Sequence, residues 1–439
     1  MTLQRSNLMQ HLQRWAGIAA LLVIAACSKD KAIDQPARLT SFSATLRVER
    51  VWGAKVDDKG AEPLRLGLGL GLEGNRVYAS GHRGDVVAFD LTSGRTVWRT
   101  RTKARLSGGT GVGGDLVAVG SSDGEAIALN TANGAIRWRA RLNGEVLSAP
   151  AVSERVVAVR TVDGKLHGLS PRDGHELWVQ EQQVPRLSLR GTSRPVIVGD
   201  LALCGFDNGK VLAVNMNDGS LQWEATIAPP HGRTELERLV DVDSAVRVAG
   251  QDVYAVGFQG RIAMLALDTG QIWWSRDASS YRGLGLDDDA VYMATADGDV
   301  VALRRRTGVE IWRQSALLHR GLSAVVAAEN AIVTADFQGY VHWLDKATGA
   351  LAARASSGKA RVSNPPIVAG NMVFVINDVG HISAFRATPL TNRARAVKKA
   401  PPEEKKTPPH EQQAAPQEGA APQEQPAPLE EHKAPPQEK

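Results

Sequence analysis

The sequence predicts an all-β fold, an eight-bladed β-propeller of four-stranded antiparallel blades whose ring is closed by the N-terminal strand. Three observations carry this expectation. Eight glycines, Gly84, Gly124, Gly164, Gly209, Gly260, Gly298, Gly339 and Gly380, recur at gaps of 40, 40, 45, 51, 38, 41 and 41, a period that belongs to propellers. Ten residues after each of the first seven stands a second glycine: Gly94, Gly134, Gly174, Gly219, Gly270, Gly308 and Gly349. Four residues later comes Trp98, Trp138, Trp178, Trp223, Trp274 or Trp312, and only Ala353 breaks the rule.

The chain opens with Arg5 and Arg14, then an apolar run from Ala16 to Ala26 that ends in small residues beside Cys27. This pattern reads as a cleavable export signal over residues 1–26, too short to span a bilayer. Residues 27–44 follow as a linker. No later segment offers about eighteen consecutive apolar residues, so nothing after Cys27 is expected within a bilayer.

Residues 45–390 hold the repeats. Segments such as Val77-Tyr78-Ala79 and Val117-Ala118-Val119 precede the first glycine of a repeat, and segments such as Val86-Val87-Ala88-Phe89 follow it. Asp123-Gly124, Asp163-Gly164, Asn208-Gly209 and Asp297-Gly298 suit two-residue hairpin turns that need positive φ. A tryptophan at one fixed point in each repeat can fill the wedge between neighbouring blades, a structural use of its large apolar area. The eighth repeat stops early, with Leu390 where its second glycine would stand, while Thr45 to Val56 carries Val51-Trp52-Gly53 and no hairpin before it. That N-terminal strand is expected to complete the last blade and remove its exposed edge.

Residues 391–439 form the tail, which from Pro401 onward collapses to Pro, Glu, Gln, Ala and Lys, with Leu429 its one large apolar side chain. Such a composition cannot bury a core, and disorder is expected. The whole chain carries a formal charge of +5, spread without a basic run or interleaved aromatics, so nucleic-acid binding has no support. Only Cys27 and Cys204 are present; Cys204, in an apolar run, is expected to be a buried and inert thiol.

Catalytic constellations are missing from the sequence. It has no Gly-x-Ser-x-Gly elbow, no His-Glu-x-x-His and no histidine pair at metal-ligand spacing. His82, His167 and His342 stand beside hairpin turns, where solvated or capping roles are expected. Two irregular segments remain, Leu187-Ser188-Leu189-Arg190-Gly191 and Leu239-Val240-Asp241-Val242-Asp243. Aligned through Gly209 and Gly260, Arg190 coincides with Asp241. Both segments fall next to the first strand of neighbouring blades, so their loops are expected side by side on one face, either as an interblade salt bridge or as a docking patch of apolar anchors and mixed charge.

Several of these motifs resemble known families. Ile24-Ala25-Ala26-Cys27 resembles the lipobox of bacterial lipoproteins, which implies that Cys27 becomes the acylated N-terminus, with Ser28 after it pointing to the outer membrane. AFDLTSGRTVW, ALNTANGAIRW and AVNMNDGSLQW resemble the tryptophan-docking repeat of quinoprotein-type propellers. Many of those are quinone-dependent dehydrogenases, but their vicinal cysteine pair has no counterpart here.

Together with the stretches 185–191 and 232–243, the pattern resembles the BamB family of lipoproteins of the outer-membrane β-barrel assembly machinery, over about residues 24–390. The resemblance implies a non-catalytic scaffold without a cofactor, anchored by lipid to the outer membrane and facing the periplasm. It would bind the POTRA domains of BamA through Leu187, Leu189, Arg190, Asp241 and Asp243, and assist nascent outer-membrane β-barrel proteins. A periplasmic quinone-dependent dehydrogenase and a glycan-binding propeller lipoprotein are the alternatives.

Overall fold

A computed structural model of the chain describes residues 34–56, 68–189 and 191–390. The export signal, Cys27, Arg190 and the Pro/Glu-rich tail lie outside the described residues. Within them the strands form eight four-stranded antiparallel sheets, as the glycine period requires. The first blade shows the pattern: β2 (Gly71–Glu73), β3 (Arg76–Ser80), β4 (Asp85–Asp90) and β5 (Thr96–Arg101) pair in chain order. The last blade joins the two ends of the domain. There β1 (Leu46–Lys55) pairs with β32 (His381–Pro389), outside β31 (Met372–Ile376) and β30 (Ile367–Ala369). The ring closes with the N-terminal strand outermost, as expected from Val51-Trp52-Gly53.

Because strands alternate in direction, the hairpins between second and third strands share one face with the connections that lead to the next blade. We call this the connection face. The turns between third and fourth strands, with their second glycines, lie on the opposite face.

Each wedge tryptophan crosses to the next blade there. Trp98, Trp138, Trp178, Trp223, Trp274 and Trp312 donate through Nε1 to the carbonyls of Thr131, Pro171, Met216, Leu267, Arg305 and Lys346 at 2.7–3.0 Å. Trp52 does the same to Leu91 at 2.9 Å. The glycine beneath is doubly constrained: Gly94 has φ 69°, and a Cβ on it would lie 2.5 Å from the Trp52 ring. The first glycines differ in detail from expectation. Gly124 has φ 78° but Asp123 stays at negative φ, and Ser121 N bonds Glu125 O at 2.9 Å while Gly124 N bonds Ser121 O at 3.3 Å. This is a three-residue loop closed by a left-handed glycine.

Blade seven explains Ala353. In the ladders between third and fourth strands a small residue faces the tryptophan in most blades, as in Ala88↔Trp98, Ala128↔Trp138 and Ala302↔Trp312, with Met264↔Trp274 the exception in blade five. Here the pair is inverted, Trp343↔Ala353. The indole has moved to the partner strand, where it is fully buried edge-on to Phe385 with centroids 5.6 Å apart. Leu46 and Ala353 lie in the same core cluster.

Residues 34–45 precede β1 as a strap across blade seven. Ala37 N bonds Leu318 O at 2.9 Å, Arg354 Nη1 donates to Thr40 O at 3.2 Å, and Thr45 N bonds Ala352 O at 2.9 Å. Leu318 belongs to the connection face, and Ala352 opens β29 (Leu351–Ser356) at the opposite face. The strap therefore runs from the connection face to the start of β1. Arg320 locks its outer end, donating to Ala37 O at 2.9 Å while paired with buried Asp336 at 2.7 Å.

Candidate functional site

Two connections stand out by length. One leads from blade three into β14 (Val196–Val198), and the other from blade four into β18 (Arg247–Ala249). Prolines at 185, 195, 229 and 230 keep these stretches out of sheet ladders by removing backbone donors. In the second, Glu237 accepts from the amides of Arg233 (2.7 Å) and Thr234 (3.0 Å), and its own amide bonds Thr234 Oγ1 at 3.2 Å. These bonds hold the Glu237 carboxyl below its ordinary range. Val240, Asp241 and Val242 then descend into the core, and Asp241 forms an isolated bridge with Phe258.

The structure brings both sequence-chosen segments together. The Gly191 backbone lies directly against the Asp243 carboxylate, and Ser193 Oγ donates to Ser244 O at 3.0 Å. Leu187 is 42% exposed and Leu189 half-buried, so Leu187 is not part of the core. Leu236, 67% exposed, adds an apolar side chain that the sequence reading passed over.

Asp241 is buried, and no hydrogen bond of good geometry reaches its carboxyl oxygens among the described residues, the Leu189 amide making only a weak approach. Burial pushes its pKa up, repulsion from Asp243 and Asp207 adds to this, and Arg160 and the Leu189 amide oppose it. Asp243 is raised in the same way, by burial and then by Asp207. Arg160 is itself enclosed, bonded to Asp207 at 3.1 Å and stacked over Phe206 at 4.3 Å. The result is a buried carboxyl pair without full compensation, on the same two connections that carry the exposed Leu187 and Leu236. Only the leucines are open to a partner; the Asp241 carboxyl is enclosed.

Other candidates resolve into structure. Burial pushes the Cys204 thiol up to about 12, so it stays protonated and unreactive. The three turn histidines are buried and hydrogen-bonded rather than solvated: His82 Nδ1 to Leu106 O at 3.1 Å, His167 Nδ1 to Glu176 at 2.7 Å and His342 Nε2 to Asp336 at 3.0 Å.

Fold and site together define an eight-bladed propeller of the quinoprotein repeat type, with exposed leucines and a buried carboxyl pair on the two long connections of its connection face. The family model described as outer membrane protein assembly factor BamB matches residues 82–314 and 296–392. Curated BamB proteins are similar over most of their length: that of Kangiella koreensis is 40% identical across 83% of this chain and 94% of its own. That of Pseudomonas aeruginosa is 42% identical across 83% and 96%. The crystal structure of BamB from Moraxella catarrhalis is 26% identical, with a TM-score of 0.72, covering 77% of this chain and all of that one. This chain belongs to the BamB family. A quinohemoprotein alcohol dehydrogenase from Comamonas testosteroni, 12% identical with a TM-score of 0.62 over 77% of this chain and 76% of its own, shares the fold.

Proposed function

We propose that this protein is a non-catalytic scaffold in the assembly of outer-membrane β-barrel proteins. It is held by a lipid on Cys27 at the outer membrane and faces the periplasm. Its relatives carry the name assembly factor, and family membership is the observation that carries this reading. The docking surface is the pair of connections bearing Leu187, Leu189, Arg190, Asp241 and Asp243, and its partner is the POTRA region of BamA. The exposed Leu187 and Leu236 on these two connections support that assignment, because apolar side chains open to solvent are the kind of anchor that a partner's surface buries. By holding the machinery's domains in place, the ring assists nascent barrel proteins without making or breaking a bond.

The test is purification of the membrane complex through a tagged chain, comparing the parent with a Leu187→Glu, Arg190→Ala variant of unchanged melting temperature. BamA is expected with the parent and lost from the variant. Equal recovery with both removes the assigned surface. A Cys27→Ala chain is expected to leave the membrane fraction; its retention there removes the lipid anchor.

A further inference from the structure

The central channel carries a second feature on the connection face. Where the first strands begin, the channel widens into a cavity of about 320 Å³, lined among others by Arg194, Arg247, Arg282, Tyr281, Asn364 and Asp243. Three guanidinium groups therefore share one small space with Asp243, the only carboxylate among its described lining residues.

These arginines are held in place. Arg247 Nε donates to Leu284 O at 2.7 Å, leaving its terminal nitrogens free of that bond. Arg282 stacks over the Tyr281 ring at 4.5 Å, and its buried Nε has no hydrogen-bond partner among the described residues. The Tyr281 ring is braced edge-on by Phe258, with centroids 6.0 Å apart. Arg194 opens onto the cavity. Enclosure by protein weakens the hold of Arg247 and Arg282 on their protons; Arg194 adds to this at Arg247, while at Arg282 Tyr281 and Asp378 oppose it and Arg361 adds to it. Like charges confined in this way are relieved by a counter-anion.

We propose that the cavity at the connection-face mouth of the channel binds a compact multivalent oxyanion. Guanidinium forks match carboxylate or phosphate oxygens in bidentate fashion, which a halide cannot exploit. At about 320 Å³ the space lies at the small end of ligand pockets, roughly 300–1,000 Å³. It therefore admits a few clustered carboxylates or phosphates and excludes a folded domain. The site is distinct from the docking patch, although Asp243 borders both.

Titration calorimetry on the isolated mature chain tests this, with citrate as the carboxylate source, pyrophosphate as the phosphate source, and chloride at matched ionic strength as the reference. One-to-one binding of citrate, pyrophosphate or both is expected, and their relative affinities name the favoured oxyanion. Arg194→Gln, at a solvent-open side chain, is expected to weaken it about tenfold, a change of about 1.4 kcal/mol, with the melting temperature kept. Arg282→Gln serves as a second variant. No binding beyond the chloride reference, or equal affinity in parent and both folded variants, overturns the proposal. Since no partner protein is present, such a failure leaves the scaffold reading untouched.

Discussion

Asp241 is the residue at which charge and burial conflict most openly. Its folded pKa is raised, so between the ordinary carboxyl range near pH 4 and neutrality the folded chain keeps a proton that the unfolded chain releases. Its contribution to stability therefore falls as pH rises through that window. Asp241→Asn is expected to raise the melting temperature at pH 7.5 and to flatten its dependence between pH 4 and 7. A melting temperature that falls at pH 7.5 would show that the carboxylate is compensated after all. The inverted pair in blade seven gives a second expectation. Trp343→Ala empties a fully enclosed site and should cost about 3–5 kcal/mol in chemical denaturation. Ala353→Trp should destabilise as well, because Ala353 is buried in a packed cluster that includes Trp343 and Leu46.

At the scale of elements, the glycine and tryptophan frame was readable in the sequence because each repeat solves the same local problem. Gly94 must take positive φ and receive an indole, and no other residue does both. The exchange of Trp343 for a tryptophan at 353 was not readable, since the two positions meet only across a strand ladder. The strap over residues 34–45 escaped for another reason: it has no hydrophobic period, and its hydrogen bonds go to blade seven, some three hundred residues away. Arg320 ties that strap to a buried ion pair. Arg320→Ala leaves Asp336 enclosed without its guanidinium and should cost about 3–5 kcal/mol. Deleting residues 34–44 while keeping Arg320 should cost less, and a denaturant series on both variants checks the order.

For the molecule as a whole, the two irregular segments were legible because both break the repeat. Their meeting at Gly191 and Asp243 follows from neighbouring blades. The channel arginines were not legible: Arg194, Arg247 and Arg282 stand dozens of residues apart and converge only when blades four, five and six pack side by side around the channel. Closure itself depends on β1. Removing residues 46–55 should expose β32 as a free edge and yield aggregated protein in size-exclusion chromatography, whereas truncation after Leu390 should leave the melting temperature unchanged.

The strap also decides how the ring responds to force. A pull on the strap at its Ala37 end, on the connection face, runs along it, antiparallel to β29, and loads its bonds to Ala37, Thr40 and Thr45 together in shear. The tether thus resists as a lap joint, and the closing strand β1 feels tension only after that joint has slipped.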